Sequence, residues 1–258
     1  MKILIFGKGK VGQATSHALS RGVDNTFGWV DPKLGLDVPD VNDYEVVILC
    51  VSSLENGPYD HSAVNQCLLR LHDEHFKGIV AIRSTLSPEW SGLKTFDHLR
   101  MIHFPEFMKQ HGDHINDKPW VVVLGGKKDE TEEFSKVLHL SGYAKKDLVM
   151  HVDFIQSVII KLGQNGFLAT KVAYFNMIAK LCQQYNVDYG PVQCGITVDD
   201  RINAKHTNVP GWDGMLGYGG HCLPKDALAL AMVTKGCEIM GSVISYNGRI
   251  RNEKIQTQ

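Results

Sequence analysis

The sequence predicts an α/β chain: a Rossmann-type, doubly wound parallel sheet over residues 1–150, then an all-helical domain over 151–258 built on one long helix. Three observations predict it. A short apolar run, KILIF (2–6), leads straight into GKGKVG (7–12) and a helix-like QATSHALSRG. Five further short apolar runs follow, the last ending at residue 126. From 153 onward the apolar spacing changes to a helical period that holds to about residue 185.

The glycines of the first turn each have a task in that reading. Gly7 permits a tight turn, Gly9 lets backbone approach a pyrophosphate, and Gly12 lets the helix pack close to the strand. Lys8, Lys10 and Val11 complete the cofactor turn. The second run, TFGWVD, ends in Asp31, with Lys33 just beyond. An acid there accepts hydrogen bonds from an adenosine ribose and repels a 2′-phosphate, which points to NAD rather than NADP. Another nucleotide on the same fold is the alternative.

The third run, EVVILCV (45–51), ends in Val51, Ser52 and Ser53, and the fourth, GIVAIRST (78–85), ends in Ser84 and Thr85. Ligands of open α/β sheets sit at such carboxyl ends. LRMIHF (99–104) and WVVVLGG (120–126) extend the sheet. Between them PEFMKQHGDHINDKP is too polar for a core strand and long for a simple connection, so it is a candidate functional loop. Its Glu106 faces the same end of the sheet as Thr85.

The long helix opens on a capping box, Asp153 with Gln156. Leu168, Val172, Phe175, Ala179 and Cys182 step by four and three along one face. Extended backwards, that face passes Asn165, Lys161 and Val158. A lysine on a buried stripe is costly unless it is paired or has a task. Aimed into a cleft, Lys161 and Asn165 could stabilise an oxyanion or a transferring hydroxyl; otherwise Lys161 snorkels from the helix start. The helix also offers a face for a second copy, so a homodimer through 153–185 is expected.

Composition narrows the classes. The net charge of −1 gives no footprint for nucleic acid or an anionic membrane, and no apolar run approaches the roughly 20 residues needed to span a bilayer. The opening MKILIFGKGKVG breaks into glycines too soon for a signal peptide. Six cysteines stand at 50, 67, 182, 194, 222 and 237 without a CxxC, which suits free thiols in a reducing, cytoplasmic compartment. The HxxH pairs His72/His75 and His111/His114 lack a third ligand at useful spacing, so no metal is expected.

GYGGHCLPKD (217–226) surrounds one thiol with bare backbone. By itself, Cys222 reads either as a small packed hydrophobe in a turn or as a reactive thiol approached by a substrate.

The motifs in order, GKGKVG, Asp31, STLSP (84–88), PEFM (105–108), KLGQNGFLATKVAYFN (161–176), DRI (200–202) and GYGGHCLPKD, resemble the nucleotide-sugar 6-dehydrogenases. The resemblance implies a 6-phosphogluconate-dehydrogenase-like architecture, NAD as cofactor and a nucleotide sugar as substrate. It implies oxidation of a primary alcohol to a carboxylate, giving a uronic acid nucleotide for polysaccharide synthesis. By that resemblance Cys222 is the nucleophile, and Lys161 and Asn165 stabilise the negative oxygen. Asp226 and Thr85 hold a water or base, and Glu106 assists thioester hydrolysis. Phe107, Met108, Gly217, Tyr218, Gly219 and Gly220 would line the sugar, and Arg201 would reach a partner's substrate. Lys225 is matched without a role.

The sequence departs from the family pattern in several places. The family continues into a third, nucleotide-covering domain, whereas this sequence ends after a helix-like 226–255 segment. His221 replaces a serine, Gln110 an acid, Ser52–Ser53 a threonine–proline pair and Met177 a glutamate. Two other functions fit: a non-catalytic NAD-binding module whose site a partner completes, and a two-electron dehydrogenase of a smaller hydroxy substrate.

Overall fold

The computed structural model describes residues 1–53, 56, 57, 60–107, 121–235 and 237–252. They form two compact units, Met1–Lys161 and Leu162–Gln258.

The first unit is a seven-stranded sheet in the order β2-β1-β3-β4-β5-β6-β7. Its strands are β1 (Lys2–Phe6), β2 (Thr26–Val30), β3 (Val46–Leu49), β4 (Ile79–Ile82), β5 (Arg100–His103), β6 (Val122–Gly125) and β7 (Val149–Val152). The first five run parallel, β6 joins β5 antiparallel at His103↔Gly125, and β7 runs parallel to β6. β3, β4 and β6 are buried at every residue, which is why they read as unbroken apolar runs rather than alternating ones. All six expected runs become strands. The seventh, β7, was not foreseen: VMHV is partly exposed along its length and carries no such signal.

Helices α1 (Lys10–Leu19), α2 (Ser62–Asp73), α3 (Gly92–Thr95) and α4 (Lys128–Leu140) belong to this unit. Leu19, Phe134, Leu138 and Tyr143 pack with Ile3, Ile5, Ile48, Ile79 and Phe104 in its core.

The 31-residue α5 (Phe154–Gln184) runs through the division between the units. The Gln156 side-chain oxygen accepts the Asp153 N–H at 2.9 Å, one half of the expected capping box. Of the face read from the sequence, Val158, Lys161, Asn165, Phe175 and Cys182 are buried, whereas Leu168, Val172 and Ala179 are half-buried and the fully buried Leu162 and Ala169 stand beside it.

Helices α6 (Tyr189–Thr197), α7 (Cys222–Val233) and α8 (Glu238–Arg251) complete the second unit. The single helix-like segment expected at 226–255 is therefore two helices, and the first begins four residues early, at Cys222. Pro224 is no obstacle, because the first turn of a helix lacks intrahelical acceptors for its N–H groups. Ala169, Tyr218, Ala227 and Met240 centre the core here. A methyl at Gly166 would lie 2.4 Å from Leu230, so glycine lets α7 approach α5. Among the described residues no helix is long and apolar enough to cross a membrane.

Candidate active site

In the first unit the β1–α1 turn is shaped by close backbone. Gly7 has φ +93°, and a Cβ there would lie 2.7 Å from the Cys50 carbonyl oxygen. A Cβ on Gly12 would lie 2.1 Å from the Gly7 carbonyl oxygen, whereas one on Gly9 would meet nothing within 4 Å. Gly9 thus keeps open the approach to the α1 N-terminus, where unpaired N–H groups favour a phosphate. Asp31 accepts from the Lys8 N–H at 2.8 Å and the Lys33 N–H at 3.1 Å, so it fixes this turn from the end of β2. The open glycine, helix start and strand-end carboxylate fit a dinucleotide.

The serines at the strand ends are less available than their positions suggest. Ser53 Oγ donates to the Thr85 carbonyl at 2.6 Å, and Ser84 Oγ donates to the Val51 carbonyl at 2.6 Å. These two hydroxyls tie β3 to β4, while Ser52 is exposed and Thr85 half-buried.

Ile82↔His103 is the last pairing between β4 and β5. Three residues beyond it lie Thr85 and Glu106, at one end of the sheet as the sequence indicated. Glu106 is held from several sides. Its carboxylate forms an ion pair with Arg83 and accepts the Phe107 N–H at 2.9 Å. Its carbonyl accepts from Lys161 Nζ at 2.5 Å, and that ammonium stands 5.2 Å from the Phe107 ring centre. Lys161 is therefore a bonded buried cation, not a snorkelling one. Four residues earlier on α5, Ser157 Oγ lies 2.8 Å from Nδ1 of the fully buried His103. Burial, helped by the Lys161 charge, pushes the His103 imidazole down to about 3, so it is neutral. Arg83 was missed by sequence reasoning; an arginine inside the apolar run IVAIRST was the available signal.

In the second unit, Cys222 is the first residue of α7 and is exposed. Asp226, one turn further on, is 1% exposed. Asn165 Nδ2 donates to Asp226 Oδ2 at 2.6 Å, and Lys225 Nζ lies 3.4 Å from Asp226 Oδ1. Lys225 thus gains a role as the charge partner of a buried carboxylate. The loop before Cys222 is pinned by two asparagines that the sequence did not mark. Asn176 accepts the Gly217 N–H at 2.9 Å, and Asn247 brackets Tyr218 through its N–H and carbonyl at 2.8 and 3.0 Å.

Those contacts give several motif residues structural work. Gly217 has φ +72°, and a Cβ there would lie 2.3 Å from Asn247 Oδ1, so the loop packing itself requires glycine. Tyr218 packs in the helical core, its hydroxyl pushed up to about 12 by burial. A Cβ on Gly219 would crowd the Arg251 guanidinium, and Gly220 has φ +78°. Arg201 is 85% exposed on its side chain and forks onto Asp199 of its own loop, at 2.9 and 2.5 Å. His221 is exposed at the start of α7 and makes no side-chain cap. Met108 and Gln110 lie outside the described residues.

The remaining cysteines divide by environment. Burial pushes the thiols of Cys50 and Cys67 up to about 11 and about 12, which keeps them protonated and inert. Cys182 is buried, while Cys194, Cys222 and Cys237 are exposed. Only Cys222 of these three begins a helix whose next turn carries a buried acid. Among the described residues no cluster of three metal-ligating side chains occurs.

Residues 156–249 match the model of the UDP-glucose/GDP-mannose dehydrogenase family, central domain. A UDP-glucose 6-dehydrogenase of Rickettsia bellii is 27% identical over 205 residues, covering 76% of this chain and 45% of that protein. The chain thus spans under half the length of the curated relatives it matches. The structure of a UDP-glucose dehydrogenase from Pyrobaculum islandicum aligns with TM-score 0.79 at 19% identity, over 96% of this chain and 68% of that one. The Mycobacterium tuberculosis 3-hydroxyisobutyrate dehydrogenase aligns with TM-score 0.73 at 18% identity, over 96% of this chain and 92% of that one. These two share the fold.

Proposed function

We propose that the chain is a member of the UDP-glucose/GDP-mannose dehydrogenase family, whose central-domain model matches residues 156–249, and that it oxidises the C6 alcohol of a nucleotide sugar, UDP-glucose, to the carboxylate with NAD. The observation that carries the reading is the start of α7: an exposed Cys222, with the buried Asp226 held by Asn165 one turn behind it. Two NAD, bound in turn, would each accept one of the two hydrides that separate a primary alcohol from a carboxylate.

The chain's own residues supply the rest. Lys161 and Asn165 hold the C6 oxygen as negative charge develops on it, the preorganised-donor role that lowers such barriers most. Asp226 and Thr85 hold the water or base that takes the alcohol proton. The Cys222 thiolate adds to the aldehyde carbon and carries the sugar as a thiohemiacetal, then as a thioester. Glu106 accepts a proton from the water that cleaves the thioester and returns the free thiol. Asp31 selects NAD through the ribose.

We further assign a homodimer through α5. Its second-unit part exposes Phe167, Tyr174 and Leu181 at intervals of seven, one apolar face, and the exposed Tyr185 follows directly after the helix.

The test is NADH formed per UDP-glucose consumed by the purified chain. The reading predicts two per sugar, and no carboxylate product from Cys222→Ser. A two-electron dehydrogenase would give one NADH and keep its activity in that variant. A non-catalytic binding module would bind NAD and form none.

A further inference from the structure

We propose that Arg83 is a positioning residue that keeps Glu106 ionised and fixes where its carboxylate points; the proposal rests on the reading of Glu106 as the hydrolytic base. Arg83 directly follows β4, and its side chain is 1% exposed. An arginine stays charged in proteins, so burying it requires compensation. The guanidinium lies 4.0 Å over the Phe104 ring and 5.8 Å from the Tyr143 ring, and Nη2 donates to the Tyr143 hydroxyl at 3.2 Å. Nε and Nη1 have no hydrogen-bond acceptor among the described residues. The negative charge beside this cation is Glu106.

The packing makes the orientation fixed rather than adaptable. The Phe104 ring packs against the guanidinium and the Tyr143 hydroxyl holds Nη2, so its direction is set by these two partners and does not freely follow a moving carboxylate. Glu106 is itself held by the Phe107 N–H on Oε1 and by Lys161 on its carbonyl. Among the described residues, the charged groups facing it from the elements packed here are Arg83 beyond β4 and Lys161 on α5; His103 in β5 is neutral. A carboxylate beside a fixed cation remains an anion further into acid, typically by about 1–3 pH units. It is a weaker base for it, but it is ready to accept a proton across a wide pH range. Removing the cation should therefore move the acid limb of thioester hydrolysis upward, which a residue serving stability alone would not do.

The test follows the Glu106 side-chain carboxyl by NMR in the full chain with 13C-labelled glutamate, its resonance assigned by its loss in Glu106→Gln. Arg83→Met is expected to raise its titration midpoint by about one pH unit or more, and Arg83→Lys to restore most of that shift. Arg83→Gln, neutral but hydrogen-bonding, carries the same expectation should the methionine variant fail to fold. An unmoved midpoint in a folded neutral variant overturns the proposal. The titration needs no turnover, so its failure is distinct from a failure of the dehydrogenase reading. In a chain that turns over UDP-glucose, the acid limb of kcat should rise by the same amount as the midpoint, and a fixed limb also overturns the proposal.

Discussion

Asn165 on α5 and Asp226 on α7 meet through a 2.6 Å hydrogen bond, amide donating to carboxylate, with both side chains buried. Replacing that donor with an acid should show how strongly the site depends on it. In Asn165→Asp two carboxylates would face each other, and one must hold a proton to make the bond. Its folded-state pKa is raised, so the destabilisation is largest above that value and shrinks as pH falls through it. The expected cost is about 1–3 kcal/mol at pH 7.5 and clearly less at pH 5, read by thermal unfolding at both. An equal loss at the two pH values would contradict the pairing.

The glycines of the first turn should separate by function. Gly12→Ala forces a methyl to within 2.1 Å of a carbonyl oxygen, whereas Gly9→Ala meets nothing within 4 Å. The former should lower the melting temperature by several degrees. The latter should leave it unchanged yet weaken NAD binding at least tenfold, because the methyl occupies the pyrophosphate approach. Thermal scanning beside a fluorescence titration with NAD reads both. Tight NAD binding by Gly9→Ala would remove that glycine from the cofactor site.

His103 should impose an acid limit on stability. In the unfolded chain a histidine protonates near 6.5, while in the fold burial holds His103 down to about 3. Its contribution is fully present above pH 6.5 and is lost as pH falls toward 3, at about 1.4 kcal/mol per pH unit. His103→Gln should be less stable at neutral pH, through loss of the Ser157 contact, yet show a shallower decline below 6.5. Denaturant titrations from pH 7 to pH 4.5 check the slope. Parallel curves for the two proteins would contradict the buried neutral imidazole.

The exposed face of α5 should hold two copies together. Sedimentation is expected to give a dimer, and Phe167→Glu combined with Leu181→Glu a folded monomer, because like charges would be buried together at a self-complementary contact. A parent chain that sediments as a monomer at micromolar concentration would overturn the assignment.

The sheet was legible because β3, β4 and β6 are buried at every residue, and β1 and β5 at all but their first, so they announce themselves as apolar runs. α2 carries an equal signal, with Val64, Leu68 and Leu71 buried at helical spacing. α4 was harder: Glu130, Thr131 and Ser135 share its buried side with Phe134 and Leu138, which blurs the apolar period. The site divides the same way. Lys161, Asn165 and Cys222 stood out as polar or reactive residues in unusual sequence surroundings. Asn176 and Asn247 did not, because their work is to bond backbone 41 and 29 residues away, which only the tertiary structure brings close. Lys225 needed the burial of Asp226 to acquire a role.

The central claim is a covalent sugar on Cys222, and the most direct measurement is mass spectrometry of the acid-quenched chain during turnover of UDP-glucose with NAD. Glu106→Asp is the variant to use, since it slows hydrolysis while leaving Arg83 beside an anion. The account predicts an acyl adduct of the oxidised nucleotide sugar on the Cys222 peptide, released by hydroxylamine and absent in Cys222→Ala. Two NADH formed per sugar with no adduct on any cysteine, or an adduct on Cys194 or Cys237 instead, would contradict it.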